Sequence, residues 1–223
     1  MGDFMEYGIR SLFDVSHTLA RGLFDGDAAP HEILGKIHDH IIALGETLDK
    51  DEFFSYGKNI WIHKSASVAA SAFIGAPCII DAGAEIRHSA FIRGDAVVGK
   101  CAVVGNSTEL KNAVLFDGVQ VPHYNYVGDS ILGYKAHLGA GAITSNVKSD
   151  KSNVFIRTSP PVDTGRKKVG AFIGDGAEIG CSSVLCPGAV IGKNSIVYPL
   201  LRVRGIVEEN SILKDENTVV GRK

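Results

Sequence analysis

The chain has 223 residues, 45% of them hydrophobic, and a formal net charge of −2. A chain of this length can bury a full core as one domain with a small appendage. The near-neutral charge offers no broad basic surface, so nucleic acid is not expected as a partner. No apolar stretch approaches the ~18 residues that a membrane-spanning helix requires, so no membrane association is expected either.

Residues 1–56 differ from the rest of the chain because their apolar residues lie at helical spacing. Pro30 suits a first helical turn, and Ile33, Ile37 and Ile41 after it share one helix face. We predict a helical cap or docking segment here. The start of the segment lacks the basic and apolar layout of a secretory signal, and the four cysteines form no CxxC motif. Both features favour a cytoplasmic protein with reduced thiols.

Aliphatic residues recur at every sixth position through most of the remaining chain. Roughly three six-residue units close one coil of a parallel β-helix, with the recurring aliphatic pointing inward. Residues two places earlier are mostly small, which suits crowded corners. We predict this β-helix over 57–205, followed by a tail over 206–223. The recurring residues are Ile62, Val68, Ile74, Ile80, Ile86, Ile92, Val98, Val104, Leu110 and Phe116, then Ile173, Ile179, Leu185, Ile191, Val197 and Val203.

Two stretches break this period, and insertions in repeat proteins tend to map to one functional face. In residues 120–129, QVPHYNYVGD, Pro122 cannot donate to a strand ladder, and His123 and Tyr126 stand where inward aliphatics are due. Residues 145–170 are polar and too long for a simple corner, and loops of that length are usually functional or disordered. We interpret them as an arm or lid that reaches a neighbouring chain.

Two cations fall at equivalent positions of successive coils. The residue numbers of Arg93 and Lys111 differ by 111 − 93 = 18, which is three six-residue units. Coils stack about 4.8 Å apart, so the two charges would repel by about 3 kcal/mol at an effective dielectric of ~20. A bound phosphate would turn this repulsion into a clamp. Alternatively, both side chains extend into solvent, and Glu109 absorbs part of the charge.

Three motifs together resemble a known enzyme family. GNSTELKN (105–112), PHYNYVGDSILG (122–133) and GAGAITSN (139–146) are similar to the acetyltransferase domain of the bifunctional N-acetylglucosamine-1-phosphate uridylyltransferase / glucosamine-1-phosphate N-acetyltransferase family. VDTGRKKVGAFIGDGAEIG (162–180) resembles archaeal sugar-1-phosphate nucleotidylyltransferase/amino-sugar acetyltransferases in particular. The resemblance covers about 57–205 and implies a left-handed parallel β-helix. The nucleotidylyltransferase half is not expected, because residues 1–56 are too few to hold it.

The resemblance also implies the reaction and its residues. The acceptor would be an amino sugar 1-phosphate, acetyl-CoA the donor, and a homotrimer would place each site between chains, with no tightly bound cofactor or metal. His123 would be the general base, a role that suits an ordinary histidine pKa near 6.5. The implied substrate-binding residues are Arg93, Lys111, Tyr126, Asn146, His137 and, from the neighbouring chain, Lys168. The implied acyl-CoA-binding residues are Ala140 (through its backbone N–H), Cys181 and Pro199.

Some positions depart from the family pattern, and another function stays open. His137 occupies a position where the family usually has an asparagine, and Cys181 occupies one where the family has a serine. Tyr198-Pro199 occupies the position of a family alanine. The alternative function is a non-catalytic or regulatory β-helix subunit that associates with a sugar nucleotidylyltransferase. A metal site of three histidines is not favoured, since the numbers of His123 and His137 differ by 137 − 123 = 14 and no pair has the required spacing.

Overall fold

A computed structural model describes residues 7–26, 28–216 and 218–222. Short helices come first, and a long run of parallel strands follows. The described helices are Ile9–Leu12, Val15–His17, Arg21–Phe24, Pro30–Ile33 and Ile37–Thr47, the second and third being 3₁₀ helices. Residues 1–6, which belong to the predicted N-terminal segment, lie outside the described residues. None of the described helices has the length and apolar character needed to cross a bilayer.

The strands stack on three flat sides, here called faces 1, 2 and 3 in chain order around each coil. Face 1 contains Ser67–Val68, Glu85–Ile86, Val103–Asn106, Gln120–His123, His137–Leu138, Glu178–Ile179, Ile196–Val197 and Ser211–Asp215. Face 2 contains Phe73–Ile74, Phe91–Ile92, Ile143–Thr144, Val184–Leu185 and Arg202–Val203. Face 3 contains Ile60–His63, Cys78–Ile80, Ala96–Val98, Ala171–Ile173, Ala189–Ile191 and Ile206–Val207. Glu109–Leu115 and Tyr126–Leu132 bend from face 2 into face 3. The predicted left-handed parallel β-helix is confirmed.

The break in the six-residue period comes from two coils that are each one residue shorter than the earlier coils. In the early coils Cys78 pairs with Ala96, so the numbers of equivalent positions differ by 96 − 78 = 18. The later pairing of Val103 with Gln120 gives 120 − 103 = 17. Val121 and Val127 therefore fill the inward positions and are fully buried. The six-residue step fails at His123 and Tyr126 as the sequence predicted, because the shorter coil shifts the inward register and leaves His123 exposed.

The N-terminal segment packs along one side of the β-helix. Face 3 is apolar on its outer side as well as its inner side, and these outer residues are fully buried: Ile79, Val97, Val114, Ile131, Phe172 and Val190. The helix Ile37–Thr47 contacts this face, and the Phe13 and Phe24 rings lie 5.4 and 5.2 Å from the Phe116 ring. The segment thus docks on face 3. The strand Phe53–Ser55 pairs antiparallel with Ile60–His63, the first strand of face 3.

The β-helix continues past the predicted start of the tail. Ile206–Val207 pairs in parallel with Ala189–Ile191, and Ser211–Asp215 pairs with Ile196–Val197. The prediction of a separate tail over 206–223 is wrong up to residue 215, since Val207 and Leu213 keep the six-residue step between them and are buried. Thr218–Gly221 then turns back antiparallel along the last strand. The division into domains is otherwise a prediction.

The long insertion over 145–170 folds onto its own chain. Phe155–Ile156 and Val162–Asp163 form a small antiparallel pair, and three of its side chains join the main core with no exposed surface: Val154, Ile156 and Val169. The N–H of Val169 donates to the carbonyl oxygen of Asn146 at 3.0 Å. The insertion is therefore a hairpin anchored on its own coils, and its reach to a neighbouring chain stays a prediction.

Two histidines of the N-terminal segment, the buried His31 and the partly buried His40, are expected to make its stability depend on pH. Burial lowers the pKa of His31 and of His40 below the ordinary value, and His40 Nε2 has no hydrogen-bond partner among the described residues. The unfolded chain therefore binds more protons below about pH 6.5. Stability from these groups is complete above that pH and is lost as the pH falls through the lowered pKa values.

We expect His40→Gln to reduce the loss of unfolding free energy between about pH 8 and about pH 5. Urea unfolding at both pH values measures it. His88→Gln, at an exposed position on a corner of the β-helix, is the matched control. An equal acid loss in wild type and His40→Gln would contradict the expected role of His40.

Candidate active site

Four of the predicted site residues form a single row along the corner between faces 1 and 2. Gln120 pairs with His137, so His123 lies beside Ala140 one coil on. The pairings of His137 with Glu178 and of Glu178 with Ile196 extend the row to Cys181 and Pro199. All four row residues, His123, Ala140, Cys181 and Pro199, are exposed. With about 4.8 Å per coil, this His123 row brings the predicted base and the predicted acyl-CoA residues together.

Asn125 holds the backbone that carries His123. Its side chain is 2% exposed, and it accepts a hydrogen bond from the His123 N–H at 3.0 Å. The same side chain donates to the carbonyl oxygens of Gly139 and Ala142 in the next coil, at 2.8 and 3.0 Å. A buried side-chain amide whose oxygen and nitrogen are both hydrogen-bonded holds a turn in one conformation. The sequence analysis missed Asn125, although its position inside the irregular stretch next to His123 was a usable signal.

The residues just after the row adopt a left-handed backbone conformation. Tyr124 has φ of 51° and Leu200 has φ of 64°, a region that bulky side chains rarely occupy. Both side chains are exposed, Leu200 to 79%. The equivalent positions of the intervening coils hold Gly141 and Ser182, which tolerate this corner better. Two large side chains thus project from this corner, Tyr124 directly after His123 and Leu200 three coils further on.

Each of the two stacked cations has its own carboxylate. The pairing of Leu110 with Ile92 sets Lys111 and Arg93 side by side at the end of face 2, as their sequence spacing predicted. Arg93 Nη1 lies 2.9 Å from Glu109 Oε1, and this hydrogen bond raises the pKa of Arg93. Lys111 Nζ lies 2.8 Å from Asp129 Oδ1. The expected repulsion is therefore offset within the chain, and it does not by itself require a bound phosphate.

Asp129 is the centre of this polar cluster. It is 4% exposed and accepts hydrogen bonds from Lys111, from Asn112 at 2.9 Å and from Asn146. Asn146 also donates to the Tyr126 hydroxyl at 3.1 Å. Burial, and next the nearby Asp129 charge, raise the pKa of Tyr126, so its phenol remains protonated. The sequence analysis missed Asp129, because only the fold brings its three donors around it.

A basic cavity of about 500 Å³ opens at the corner between faces 2 and 3. Lys168 lines it together with Lys111 of the same chain, so the expectation that Lys168 reaches the cavity from a neighbouring chain is not met in a single subunit. Four cations face two carboxylates there. The lining residues are Leu34, His38, Asp95, Lys111, Asn112, Asp129, Arg166, Lys167 and Lys168.

His123 does not line this cavity. It sits on the adjacent corner, and the outer side of face 2 separates the two sites. Tyr126 lies on that outer side with its hydroxyl close to Gly128, so its ring points from the His123 corner towards Asp129. Five residues, which include the corner at Ser107, separate Asn106, the neighbour of His123, from Lys111, so the backbones of the two sites are at most about 17 Å apart.

His137 belongs to a separate place on face 1. Its Nδ1 lies 2.7 Å from Glu178 Oε2, and both residues line a cavity of about 400 Å³ with Gln120 and Lys135. Within residues 7–26, 28–216 and 218–222, no group of three His, Cys, Asp or Glu side chains is placed to hold a metal ion. The structure therefore brings His137 near neither Lys111 nor Asp129.

Comparison with known proteins finds relatives that match about half of this chain. The family described as the GMPPB C-terminal domain matches residues 74–157. The bifunctional protein GlmU of Methanococcus maripaludis (strain C5) is 32% identical over 119 residues, covering 53% of this chain and 29% of that protein. The bifunctional sugar-1-phosphate nucleotidylyltransferase/acetyltransferase of Sulfurisphaera tokodaii is 35% identical over 94 residues, covering 42% and 23%. The predicted resemblance is confirmed. The match spans under a third of the length of these two relatives.

A further relative carries only one activity in its name. The putative uncharacterized acetyltransferase YaiX of Escherichia coli (strain K12) is 34% identical over 105 residues, covering 47% of this chain and 44% of that protein. All three relatives thus match about half of this chain, and the names of the second and third contain the word acetyltransferase.

The corner that bears His123 has no room for an extra atom. A Cβ at Gly105 would overlap the backbone of Pro122 in the next coil, where both strands are held by ladder hydrogen bonds. We expect Gly105→Ala to lower the free energy of unfolding by about 3 kcal/mol or more, as overpacking against backbone does. Urea unfolding measures this. Gly221→Ala, where the added atom meets nothing within 4 Å, should change stability little. Equal effects would show that the corner relaxes freely.

Proposed function

We propose that the chain is an acetyl-CoA-dependent N-acetyltransferase whose acceptor is an amino sugar 1-phosphate of the glucosamine-1-phosphate type. The names of two relatives support the reaction class, because both contain the word acetyltransferase. One of these names also contains sugar-1-phosphate, which supports a phosphate on the acceptor. The observation that carries the proposal is the arrangement on two neighbouring corners. The His123 row follows one corner, and the basic cavity with Lys111 and Lys168 occupies the next.

In the proposed reaction His123 accepts a proton from the acceptor's ammonium group. The freed amine nitrogen attacks the thioester carbonyl carbon, a C–N bond forms, and the C–S bond breaks. The departing thiolate of CoA takes up a proton, and no covalent enzyme intermediate is required. The imidazole of His123 is exposed and can therefore reach the nitrogen of a bound acceptor. Asn125 fixes its backbone, so the base is oriented before the substrates bind.

Cations at the far end of the acceptor supply orientation. Arg93 is 47% exposed on face 2, and Lys111 and Lys168 line the basic cavity. A phosphate dianion there competes with Glu109 and Asp129 for these cations, which is favourable because a phosphate offers more acceptor oxygens. Tyr126 and Asn146, which are hydrogen-bonded to each other, lie between the phosphate and His123 and contact the sugar hydroxyls.

The donor lies along the His123 row. The backbone N–H of Ala140 is the proposed donor to the thioester oxygen, where negative charge develops in the transition state. Cys181 and Pro199 continue the row and contact the remainder of the coenzyme. His137 contacts the far side of the sugar only if its contact with Glu178 opens.

A homotrimer is part of this proposal. Face 2 carries exposed aromatic side chains, Phe73 at 59% and Phe91 at 40%, with ring centroids 5.5 Å apart. Exposed aromatic pairs favour a protein contact. A second subunit against face 2 would enclose the acceptor between the two corners. The loop over 145–170 would then serve the site on its own chain.

The ion pairs favour a second candidate function. Arg93 and Lys111 each already contact a carboxylate, an arrangement that a non-catalytic β-helix subunit would also need for stability. Such a subunit would associate with a sugar nucleotidylyltransferase. Binding of acetyl-CoA and an amino sugar phosphate separates the two functions, since only the enzyme needs both.

We expect His123→Ala to lower turnover by about 10²- to 10⁴-fold, because the ammonium proton has no other acceptor in place. Release of free CoA thiol from acetyl-CoA with glucosamine 1-phosphate measures turnover. His88→Ala is the control, because His88 lies two coils earlier in the same row and is also exposed. Turnover of His123→Ala equal to that of His88→Ala, with an unchanged oligomeric state, would remove His123 from the mechanism.

We expect Lys111→Met and Lys168→Met each to raise the KM for glucosamine 1-phosphate by about 10- to 100-fold, since each loses a charge-assisted hydrogen bond to phosphate. The KM for acetyl-CoA should not change. Glucosamine without phosphate should react equally slowly with wild type and both variants. Lys214→Met, at an exposed position of the last parallel strand, Ser211–Asp215, is the control. Equal KM increases for acceptor and donor would contradict the phosphate role.

A further inference from the structure

A second basic cavity, of about 590 Å³, lies on the other side of the long insertion. The insertion's first arm forms one wall, and the later coils form the other. Its lining residues are Ser145, Val147, Lys148, Ser149, Asp150, Phe155, Arg157, Cys186, Pro187 and Arg204. None of the residues placed in the proposed reaction lines it, although Ser145 directly precedes Asn146.

Two arginines in this cavity have no acidic partner among the described residues. Arg157 and Arg204 make no ion pair there, whereas Arg202, two residues before Arg204, lies 3.3 Å from Glu216. The cavity's single carboxylate, Asp150, lies 3.5 Å from Lys148. Three cations and one carboxylate leave the cavity positive. The stem of Arg157 packs over Gly205, where an added Cβ would lie 3.3 Å from its Cδ, so the guanidinium is held beside the coil that carries Arg204.

The same cavity has a flat apolar wall. Phe155 is 46% exposed although it stands on a short strand beside the fully buried Val154 and Ile156. Pro187 and Val147 extend this wall. An exposed aromatic ring beside unpaired guanidinium groups offers stacking to a planar base and paired hydrogen bonds to phosphate oxygens. Neither feature is explained by the packing of the insertion, which Val154, Ile156 and Val169 supply.

We propose that this cavity binds a nucleotide that carries two phosphates, with its base on Phe155 and its phosphates on Arg157 and Arg204. The site is distinct from the His123 row and from the basic cavity at Lys111, and it does not depend on the proposed acetyl transfer. Two sources supply this chemistry: a free nucleoside 5′-diphosphate, or free adenosine 3′,5′-bisphosphate. Lys148 adds a third cation at the mouth of the cavity.

Calorimetry with uridine 5′-diphosphate and with adenosine 3′,5′-bisphosphate distinguishes these sources. Pyrophosphate and uridine test the halves of the first ligand alone, and inorganic phosphate and adenosine test the halves of the second. We expect one nucleotide to bind more tightly than either half. Arg157→Ala and Arg204→Ala should each weaken it about 10- to 100-fold, and Phe155→Ala about tenfold. Arg202→Ala, which removes the same charge from a residue paired with Glu216, should leave the affinity unchanged.

Cys186 gives a readout at the cavity itself. It is partly exposed there, whereas Cys101 is exposed on a different corner. The bound nucleotide should slow alkylation of Cys186 by iodoacetamide, followed by peptide mass spectrometry, and leave Cys101 unaffected. The proposal is overturned if neither nucleotide binds, or if pyrophosphate binds as tightly as the two nucleotides do. It is also overturned if the arginine variants retain wild-type affinity, or if the bound nucleotide does not protect Cys186 from alkylation.

Discussion

Inward aliphatic side chains stack from coil to coil, and every site in this molecule takes its position from that stack. Ile92, Leu110 and Val127 lie above one another and are fully buried. Because each coil buries its inner side only against its neighbours, the stack fixes which residues of successive coils become neighbours on the surface. The His123 row and the pair Arg93 and Lys111 are both consequences of this register.

The loss of one residue from a coil changes which side chains lie at its corners. The two coils that follow Val103 are each one residue shorter than the earlier ones, and the strands Glu109–Leu115 and Tyr126–Leu132 run through the corner between faces 2 and 3. Asn112 and Asp129 take the left-handed corner positions, with φ of 48° each. A buried carboxylate is costly unless it is paired and hydrogen-bonded, and Lys111, Asn112 and Asn146 meet that need. The polar cluster is thus a structural requirement of the tight corner as well as a candidate site.

The N-terminal segment and the insertion complete the surfaces that the β-helix leaves open. Face 3 is apolar outside and inside, so a bare β-helix would expose a large hydrophobic surface there. The helices cover it, and their Leu34 and His38 become walls of the basic cavity. The insertion lies between two basic cavities, with Lys168 facing one and Lys148 the other. Elements that the core needs for burial therefore also shape the candidate sites.

The amino-acid sequence alone determined the β-helix, the equivalence of Arg93 and Lys111, and the break in the coils around His123, because a strict six-residue period allows only one inward register. It could not place Asp129 or Asn125, whose partners come from neighbouring coils of the β-helix. Nor could it show that the insertion folds onto its own subunit, or that face 3 is covered. Those outcomes depend on which apolar surfaces meet in three dimensions, and local periodicity carries no information about that pairing.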